Sequence, residues 1–526
     1  MKNKKLTILD STLRDGAQGE GISFSVRDKI AVCRTLDELG VDYIEAGNPA
    51  SNPKDAEFFR EVKNLELRNA KLTAFGSTRR RGVTAQQDPG VKALLAADTP
   101  AVSVFGKSWD FHATEILRVT LEENLEMIYD TVNYLTECGK EVIFDAEHFF
   151  DGYKNNPDYA IKAIKAAEKA GAAAVCLCDT NGGCFPDEIE KIVRAAVDAL
   201  SIPVGIHTHD DAGMAVANSV VAVLCGATQV QGTLIGFGER CGNANLSTIA
   251  ADLQLKRGYD CFPEENMKNL TLYCRRIAEI ANVRLNRGMP YVGESAFAHK
   301  AGMHIDGVSK ASFSFEHVSP DSVGNTRRFL MSEVAGRSTI LDKVRKVDPS
   351  VTKDSPVTAE IVAKIKEMEF FGYQFEGADA SFELLIRKSL GAYKPFFTLE
   401  KFKTIGEQIS GEDFSPATAV VKVSVDGTSE ISAAEGNGPV NALDVALRKA
   451  LERFYPSLKE FALTDYKVRI LDSKETSSAK TRVLIESGDG KDIFTTVGVS
   501  RDIIEASLTA LKDAIEYKLI KDGVTP

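Results

Sequence analysis

The amino-terminal half of the chain alternates short runs of β-branched and apolar residues with longer stretches of helical periodicity. This alternation is typical of βαβ units, which build a parallel sheet. We predict eight strands, at Lys5–Thr12, Val41–Gly47, Lys71–Gly76, Ala101–Gly106, Glu141–His148, Ala173–Thr180, Pro203–Asp210 and Thr228–Gly236. Helical stretches between them include Val26–Leu39, Leu121–Cys138, Asp158–Ala170, Asp187–Leu200 and Ala212–Cys225. The repeats predict an α/β fold with a (β/α)8 TIM barrel, and an open, doubly wound sheet is the alternative.

The carboxy-terminal part has a different pattern, in which one unit occurs twice. Ala419–Tyr455 predicts a strand, an Asp426-Gly427 turn, a strand, a loop and a helix, and Thr481–Leu519 repeats that order around Asp489-Gly490. Asp-Gly between alternating strands is a strong hairpin signal. The duplication predicts two similar α+β units packed about a pseudo-twofold axis. Such a domain fits a dimerisation module and a small-ligand regulatory site equally well.

Between these parts lies a region that we interpret as helical linker subdomains. Arg287–Arg328 is rich in Gly, Ser and His, whereas Ser338–Arg387 is strongly charged and has a helical period. We therefore predict three domains, with a catalytic barrel at 1–285, linker subdomains at 286–395 and the duplicated domain at 396–526.

Composition excludes several classes of protein. The chain has 526 residues, 44% of them hydrophobic, which is ordinary for a multidomain globular protein and excludes bulk disorder. A net charge of −11 without a long basic run argues against nucleic acid as a partner. No stretch reaches the ~18 apolar residues of a membrane span, and the amino terminus lacks the apolar region of a signal peptide. We therefore expect a cytoplasmic protein with no membrane partner.

The nine cysteines all precede residue 275 and form no C-x-x-C motif, so we predict reduced thiols. Cys176 and Cys178 are two apart and point to one face of a strand. For this pair the sequence favours buried packing over metal binding.

Polar residues concentrate where the predicted strands end. In a barrel of this kind the active site is built at those carboxyl ends. The residues are Arg14-Asp15, Glu45, Glu147-His148, Asp179-Thr180-Asn181, His207-Thr208-His209-Asp210, Glu239-Arg240 and Asn243. Surface charges distributed at random would not all fall at the same end of the predicted barrel, so these residues are candidates for an active site.

His207 and His209 are the strongest candidates for metal ligands. Being two apart on a strand, they project from the same face. With a carboxylate from another strand, for which we predict Asp15, they form a facial set suited to a divalent metal, whereas the alternative is a buried histidine bonded to backbone. Mn, Mg, Zn and Fe(II) all remain admissible.

Arg14 would place a permanent charge beside that ion, where a developing enolate or alkoxide could be stabilised. It could instead form a structural ion pair with Glu45, and the two roles are compatible. Glu147 and His148 are candidate acid–base groups.

Four motifs resemble, in order and spacing, the metal-dependent barrel family that includes the 2-isopropylmalate, homocitrate and citramalate synthases. They are Leu9–Gly16, Ile44–Gly47, His207–Asp210 and Gly238–Ala244. Three further segments look like that family's regulatory domain, namely Gly436–Val440, Asp465–Arg469 and Thr496–Ser500. Gly106–His112 and Ser295–Lys300 look most like the citramalate synthase branch.

The resemblance implies an acyltransferase that condenses acetyl-CoA with pyruvate and hydrolyses the thioester, giving citramalate on a route to isoleucine. It implies a divalent metal ion (Mn, Mg or Zn), a homodimer and feedback inhibition by isoleucine. It assigns roles to a set of residues: the metal ligands Asp15, His207, His209 and Asn243; the substrate binders Arg14, Thr180 and His112; and the catalytic residues Arg14, Glu45, Glu147, His304 and Asp306.

His304 and Asp306 fall on family positions that the linker region delivers to a barrel mouth, often the partner subunit's. A polar turn is the alternative for this segment. Relatives often carry a tyrosine where this chain has Phe315, which cannot supply a phenol. Glu147, His304 and a relay through Asp306 all stay open as the base that deprotonates the acetyl group.

Other readings of the same residues stay open. The nearest is the same chemistry on a larger 2-oxo acid, as in 2-isopropylmalate or homocitrate synthesis. A lyase or aldolase could use the same barrel, and a non-haem iron oxygenase the same facial set. The non-enzyme alternative is a metal-dependent ligand sensor built on the duplicated domain.

Overall fold

The computed structural model describes residues 4–300, 302–329, 344–345, 347–352, 355–375, 378–391, 393–406, 416–471, 479–489 and 493–526. The chain forms two compact units. The first runs to Phe297 and also includes residues 316–327, and the second holds residues 298–315 and everything from Arg328 onward. The domain boundaries that we place at 285 and 395 stay predictions.

Parallel strands in the first unit close into a barrel. They are β1 (Thr7–Asp10), β2 (Tyr43–Glu45), β3 (Lys71–Ser77), β4 (Ala101–Lys107), β5 (Glu141–Glu147), β6 (Ala174–Asp179), β7 (Val204–Thr208) and β8 (Gln229–Gly232). Leu9 of β1 is in register with Tyr43 of β2 and also with Gln231 of β8. This closure confirms the predicted (β/α)8 barrel and excludes the open sheet.

Helices surround the barrel. They are α1 (Val26–Leu39), α2 (Pro53–Glu61), α3 (Pro89–Ala96), α4 (Leu121–Glu137), α5 (Phe149–Asn155), α6 (Pro157–Lys169), α7 (Pro186–Ala199), α8 (Ala215–Leu224), α9 (Leu246–Arg257), α10 (Glu264–Met267) and α11 (Leu270–Ile280). Local sequence explains their ends: at α1, Ser25 and Asp28 form a capping box, and Gly40 ends the helix with φ +96°. Residues 112–117, after β4, form a short π-helix.

The second unit begins with α12 (Gly302–Lys310), α13 (Pro356–Phe371) and α14 (Asp379–Ser389). Helices α13 and α14 confirm the helical period predicted within Ser338–Arg387, although part of that segment lies outside the described residues. Ten buried side chains, Val344 and Phe382 among them, form a core around these two helices.

Two β-β-β-α repeats complete the second unit. The first is β9 (Thr398–Gly406), β10 (Ala417–Val425), β11 (Thr428–Gly436) and α15 (Pro439–Leu451); the second is β12 (Ala462–Ile470), β13 (Thr481–Gly488), β14 (Ile493–Ser500) and α16 (Ile503–Lys521). Each forms an antiparallel three-stranded sheet, which confirms the predicted duplication. The predicted turn at Asp426-Gly427 has φ +47° and +78°, whereas Gly490 of the second turn lies outside the described residues.

The sequence did not predict the leading strand of either repeat. In β9 and β12 most side chains are exposed or only half-buried, because these strands lie at sheet edges. Charged residues there hide the period of two on which strand prediction depends. Among the described residues, no helix combines the length and the apolar character that crossing a bilayer requires.

Candidate active site

Asp15, His207 and His209 converge at the carboxyl end of the barrel. Asp15 follows β1, and the two histidines stand at the end of β7. The Nε2 atoms of the histidines are 3.3 Å apart and lie 3.4 Å and 3.8 Å from Oδ2 of Asp15. All three side chains are buried. We call this group the Asp15–His207–His209 cluster.

The cluster fits a divalent cation. Two imidazole nitrogens and a carboxylate oxygen meeting at such distances concentrate lone pairs on one point, which is the arrangement of a metal site. Asn243 joins them, since it forms an isolated β-bridge with His209. Its Nδ2 donates to the carbonyl of Phe237, and its buried Oδ1 has no hydrogen-bond partner among the described residues. Asn243 therefore adjoins His209 through the backbone and keeps an acceptor without a partner among the described residues, and its role as a ligand stays a prediction.

Arg14 links this cluster to Glu45. Its Nη1 donates to Asp15 at 2.8 Å and its Nε to Glu45 at 2.5 Å. Burial alone would raise the pKa of Asp15, but Arg14, followed by His207, holds that pKa well below its usual range. The predicted ion pair with Glu45 is present, and it fixes the guanidinium in the cavity lining, whereas the catalytic role of Arg14 stays a prediction.

The interior around Arg14 carries an excess of acidic groups. Three carboxyl groups are buried there, namely those of Asp15, Glu45 and Asp145. The guanidinium of Arg14 forms ion pairs with two of them, Asp15 and Glu45. Burial, and then the charge of Glu45, raise the pKa of Asp145 to about 7. Burial and the neighbouring His207 lower the pKa of His209 to about 4. Buried carboxylates and a neutral imidazole at this end of the barrel therefore favour the binding of a cation.

A cavity of about 220 Å³ opens beside the cluster. Its lining includes the Asp15–His207–His209 cluster, Arg14, Glu147 and Thr180. The hydroxyl oxygen of Thr180 accepts the backbone N–H of His148 at 2.9 Å, and its carbonyl accepts from Arg240 at 2.8 Å. Thr180 is thus held with its own O–H proton still available.

One wall of this cavity is aromatic. Phe75 and Phe105 stack with ring centroids 5.2 Å apart, and the guanidinium of Arg14 lies 3.8 Å from the centre of the Phe75 ring. Neither ring was predicted from the sequence, because an apolar residue at a strand end resembles a core position. Asp145 and Gln231, which also line the cavity, were not predicted either. The place of Asp145 could have been predicted from the sequence. It lies two residues before Glu147 and therefore faces the same side of the strand.

Glu147 forms an ion pair with Lys107 at the cavity rim. Lys107 belongs to a segment that the sequence analysis used only for its resemblance. Its Nζ also lies 5.6 Å from the centre of the Phe105 ring. Lys107 therefore contacts both the predicted catalytic carboxylate and the aromatic wall.

His148 and His112 lie next to Glu147 and Thr180, outside the cavity lining. His148 adopts a left-handed backbone conformation, with φ +53°, and its Nδ1 lies 3.1 Å from Asp151. The rings of His112 and His148 are 4.4 Å apart, and Trp109 stacks on His112. Burial lowers the pKa of His112. His112 thus packs against His148 outside the cavity lining, and its substrate-binding role stays a prediction.

His304 and Asp306 belong to the second unit, on α12. The His304 ring is 4.6 Å from that of Phe315, and Asp306 pairs with Lys310. Their delivery to a barrel mouth stays a prediction.

Three family descriptions match consecutive parts of the chain. The HMGL-like family matches residues 5–282, which include the barrel strands. Residues 291–370 match the homocitrate synthase post-HMGL domain-like family, and residues 376–519 match the LeuA allosteric (dimerisation) domain.

Whole-chain relatives agree with these matches. The (R)-citramalate synthase of Aquifex aeolicus is 52% identical, with 99% of this chain and 98% of the relative covered. The (R)-citramalate synthase of Geobacter sulfurreducens is 51% identical, with 98% of this chain and 97% of the relative covered. A probable 2-isopropylmalate synthase of Methanopyrus kandleri is 34% identical, with 96% of this chain and 97% of the relative covered. The chain therefore belongs to the (R)-citramalate synthases, within the family that also holds the 2-isopropylmalate and homocitrate synthases.

Proposed function

We propose that this protein condenses acetyl-CoA with pyruvate and hydrolyses the resulting thioester, releasing (R)-citramalate and CoA on a route to isoleucine. The observation that carries the proposal is the Asp15–His207–His209 cluster beside Arg14, in a cavity with an aromatic wall. The identity to named (R)-citramalate synthases over nearly the whole chain supports the choice of reaction.

The residues would hold a divalent ion through Asp15, His207, His209 and Asn243. When bound, such an ion supplies Lewis acidity at the keto oxygen of a 2-oxo acid. Nitrogen and oxygen ligands of this kind accept Mn, Mg or Zn.

Arg14 stabilises the negative charge that develops on the keto oxygen as the carbon–carbon bond forms. Glu45 and Asp15 each take one of its N–H groups, and the guanidinium lines the cavity, so its other N–H groups can donate to that oxygen. The Phe75 ring beneath it prevents it from swinging away. A fixed donor loses little energy in reorganisation during the reaction.

Thr180 and Glu147 also line the cavity and serve the two substrates. The Thr180 hydroxyl accepts from His148, so its proton is free to donate to the carboxylate of the 2-oxo acid. Glu147 is a candidate base for the acetyl methyl group, or for the water that hydrolyses the thioester. His304 and Asp306 remain candidates for the same proton transfers.

The aromatic wall favours a small 2-oxo acid. Phe75 and Phe105 fill the side of a cavity of only about 220 Å³, which must also admit the acetyl group. Rigid rings there leave room for the methyl group of pyruvate and oppose the branched side chain of 2-oxoisovalerate.

Thiol release tests the function directly. Metal-loaded protein is offered acetyl-CoA with pyruvate, 2-oxoisovalerate or 2-oxoglutarate in parallel, and selective turnover of pyruvate is expected. His207→Ala should abolish turnover, whereas His317→Ala, at an exposed histidine of the same unit, should not. Preference for a larger acid would keep the mechanism and change the substrate, and no thiol release with any acid would refute the proposal.

The metal can be tested apart from the substrate. Removal of the ion by a chelator should stop thiol release, and added Mn²⁺ should restore it. Asn243→Ala should raise the Mn²⁺ concentration needed for half-maximal activity by at least about tenfold. Asn133→Ala, on helix α4, is the matched control. An unchanged metal requirement in Asn243→Ala would remove that residue from the ligand set.

We further propose that the protein is a homodimer inhibited by isoleucine. The match to the LeuA allosteric (dimerisation) domain and the two β-β-β-α repeats support a regulatory and dimer-forming role for the second unit. Light scattering should give twice the chain mass. Titration of the full chain should show binding and inhibition by isoleucine but not by lysine. A monomer, or a chain indifferent to isoleucine, would contradict these assignments.

A further inference from the structure

Asp145, Cys176 and Cys178 form a second group of metal-ligand atoms, deeper in the barrel than the Asp15–His207–His209 cluster. Asp145 of β5 is in register with Cys176 of β6, and Cys178 is in register with His207 of β7. A carboxylate oxygen and the two sulfur atoms all lie within 4.8 Å of one another. All three side chains are buried. We call them the Asp145–Cys176–Cys178 group.

A glycine brings the backbone of β7 close to this group. Gly205 of β7 is in register with Cys176, and a Cβ built on it would lie 3.4 Å from the Cys176 sulfur and 2.8 Å from Oε1 of Gln229. Any side chain at this position would press on the amide oxygen. Glycine therefore lets the backbone of β7 pack closely against the Cys176 sulfur and the Gln229 amide oxygen.

The surroundings are rich in acceptors and poor in donors. Oε1 of Gln229 and Oε1 of Gln231 are buried, and neither has a hydrogen-bond partner among the described residues. The Nε2 donor of Gln231 is used by Asp145, at 2.9 Å. A buried acceptor without a partner destabilises the fold. A cation would satisfy both amide oxygens together with the carboxylate.

The group is reachable from the cavity. Asp145, Cys178 and Gln231 are among the residues that line the cavity, whereas Cys176 is fully buried and is not. An ion that enters the cavity therefore meets the carboxylate and one of the two thiols directly.

Sulfur ligands distinguish this group from the cluster above it. Thiolates select soft cations, whereas imidazole, carboxylate and amide ligands also accept Mg and Mn. Burial raises the pKa of the Cys176 thiol, so the sulfurs carry protons until a cation displaces them. Binding would form two metal–sulfur bonds and release two protons to solvent.

We propose that Asp145, Cys176 and Cys178 form a second cation site, selective for a thiophilic divalent ion such as Cd²⁺ or Zn²⁺ and distinct from the Asp15–His207–His209 cluster. The sequence favours buried packing for the two thiols, and they are buried. What the sequence does not reveal is the carboxylate and the two unpartnered amide oxygens that surround them.

Cadmium tests the site because cadmium–thiolate bonds absorb in the ultraviolet. The parent protein is the full chain with Cys138→Ser and Cys241→Ser, which removes the two exposed thiols. Cd²⁺ added in the presence of saturating Mg²⁺ should give the charge-transfer band at one equivalent and release two protons into a weak buffer. Cys176→Ser or Cys178→Ser should abolish the band.

Two control variants locate the ion. Cys274→Ser, at a buried cysteine on α11, should keep the band. His207→Ala should also keep it, so the result does not depend on the proposed activity. Asp145→Asn, which retains both thiols, should weaken cadmium binding roughly tenfold and serves if a cysteine variant fails to fold.

Three results would overturn the proposal. They are the absence of a band in the folded parent, a band that survives Cys176→Ser, and a band lost in His207→Ala. The last would show that His207 shares the thiol-bound ion, so the two sites would not be distinct.

Discussion

Lys107 and Glu147 occupy the last positions of neighbouring barrel strands, stand in register and form an ion pair. Glu147 lines the cavity, whereas Lys107 does not, and the Lys107 ammonium lies over the Phe105 ring. Lys107 is therefore a positioning residue, because it can act on the substrates only through the carboxylate and the ring that it holds.

Replacing this lysine should slow the reaction without removing it. Lys107→Met should lower kcat/KM roughly tenfold, compared with the roughly 100- to 10,000-fold expected for Glu147→Gln if that carboxylate is the acid–base group. Lys107→Arg keeps the charge and should recover most of the activity. Steady-state thiol release measures all three, and full activity in Lys107→Met would show that the ion pair serves only the fold.

Shortening the aromatic wall should relax the choice of 2-oxo acid. Phe105→Ala enlarges the cavity while leaving Phe75 under Arg14, so the preference for pyruvate over 2-oxobutyrate should fall roughly tenfold, within the range known for one methylene group. The comparison is the ratio of kcat/KM for the two acids. Phe111→Ala, at an exposed ring after β4, is the control. An unchanged ratio would place the side chain of the 2-oxo acid elsewhere.

The buried ion pair of Lys29 and Asp55 should be costly to break. Lys29 donates to Asp55 at 2.5 Å and to the carbonyl of Ala46 at 2.7 Å, which ties α1 and α2 to the loop after β2. Lys29→Met leaves the buried Asp55 carboxylate without a counter-charge, and should lower the free energy of unfolding by about 3–5 kcal/mol.

Urea unfolding followed by the fluorescence of Trp109, the chain's single tryptophan, measures this loss. Lys92→Met, at an exposed lysine on α3, should change stability by less than about 0.5 kcal/mol. If the two substitutions lowered the free energy of unfolding equally, the buried ion pair would not contribute to stability.

Asp10 should make the stability of the barrel fall as pH rises. Burial raises the pKa of this carboxyl from 3.8 to about 7, although hydrogen bonds from Thr12 oppose the shift. Between those values the folded protein holds a proton that the unfolded chain releases, so stability decreases with pH across this window and is constant above it with respect to this group.

Asp10→Asn should therefore flatten the pH dependence of unfolding. The slope should become shallower by up to about 1.4 kcal/mol per pH unit between pH 5 and 7, the value for one proton. Urea unfolding across that range compares the variant with the unmodified chain. Parallel slopes would show that Asp10 is ionised in the folded barrel.

The sequence predicted those features that depend on periodicity and chain direction. Helix α1 begins and ends at the predicted residues because its cap and its terminal glycine are local signals. Asp15, His207 and His209 came together as predicted, since residues at the ends of parallel strands share one rim. Side-chain alternation in a strand placed both imidazoles on one face.

What escaped prediction depends on neighbours distant in the chain. Phe105 becomes a cavity wall only because Phe75 of another strand stacks against it. Lys107 acquires a partner only through the register of β4 and β5. The Asp145–Cys176–Cys178 group likewise exists only across strands. A single sequence contains no register between strands, so these relationships could not be obtained from it.

Each of the two compact units is built from two separate segments of the chain, which alternate along the sequence. This order limits how the chain can be cut into independent domains. Residues 298–315 belong to the second unit, yet residues 316–327 return to the first, where Asn325 donates to the carbonyls of Tyr291 and Gly293. No single cut in the backbone therefore yields two complete units. A protease that nicks the segment 298–315 should leave fragments that stay associated under native conditions and separate in denaturant.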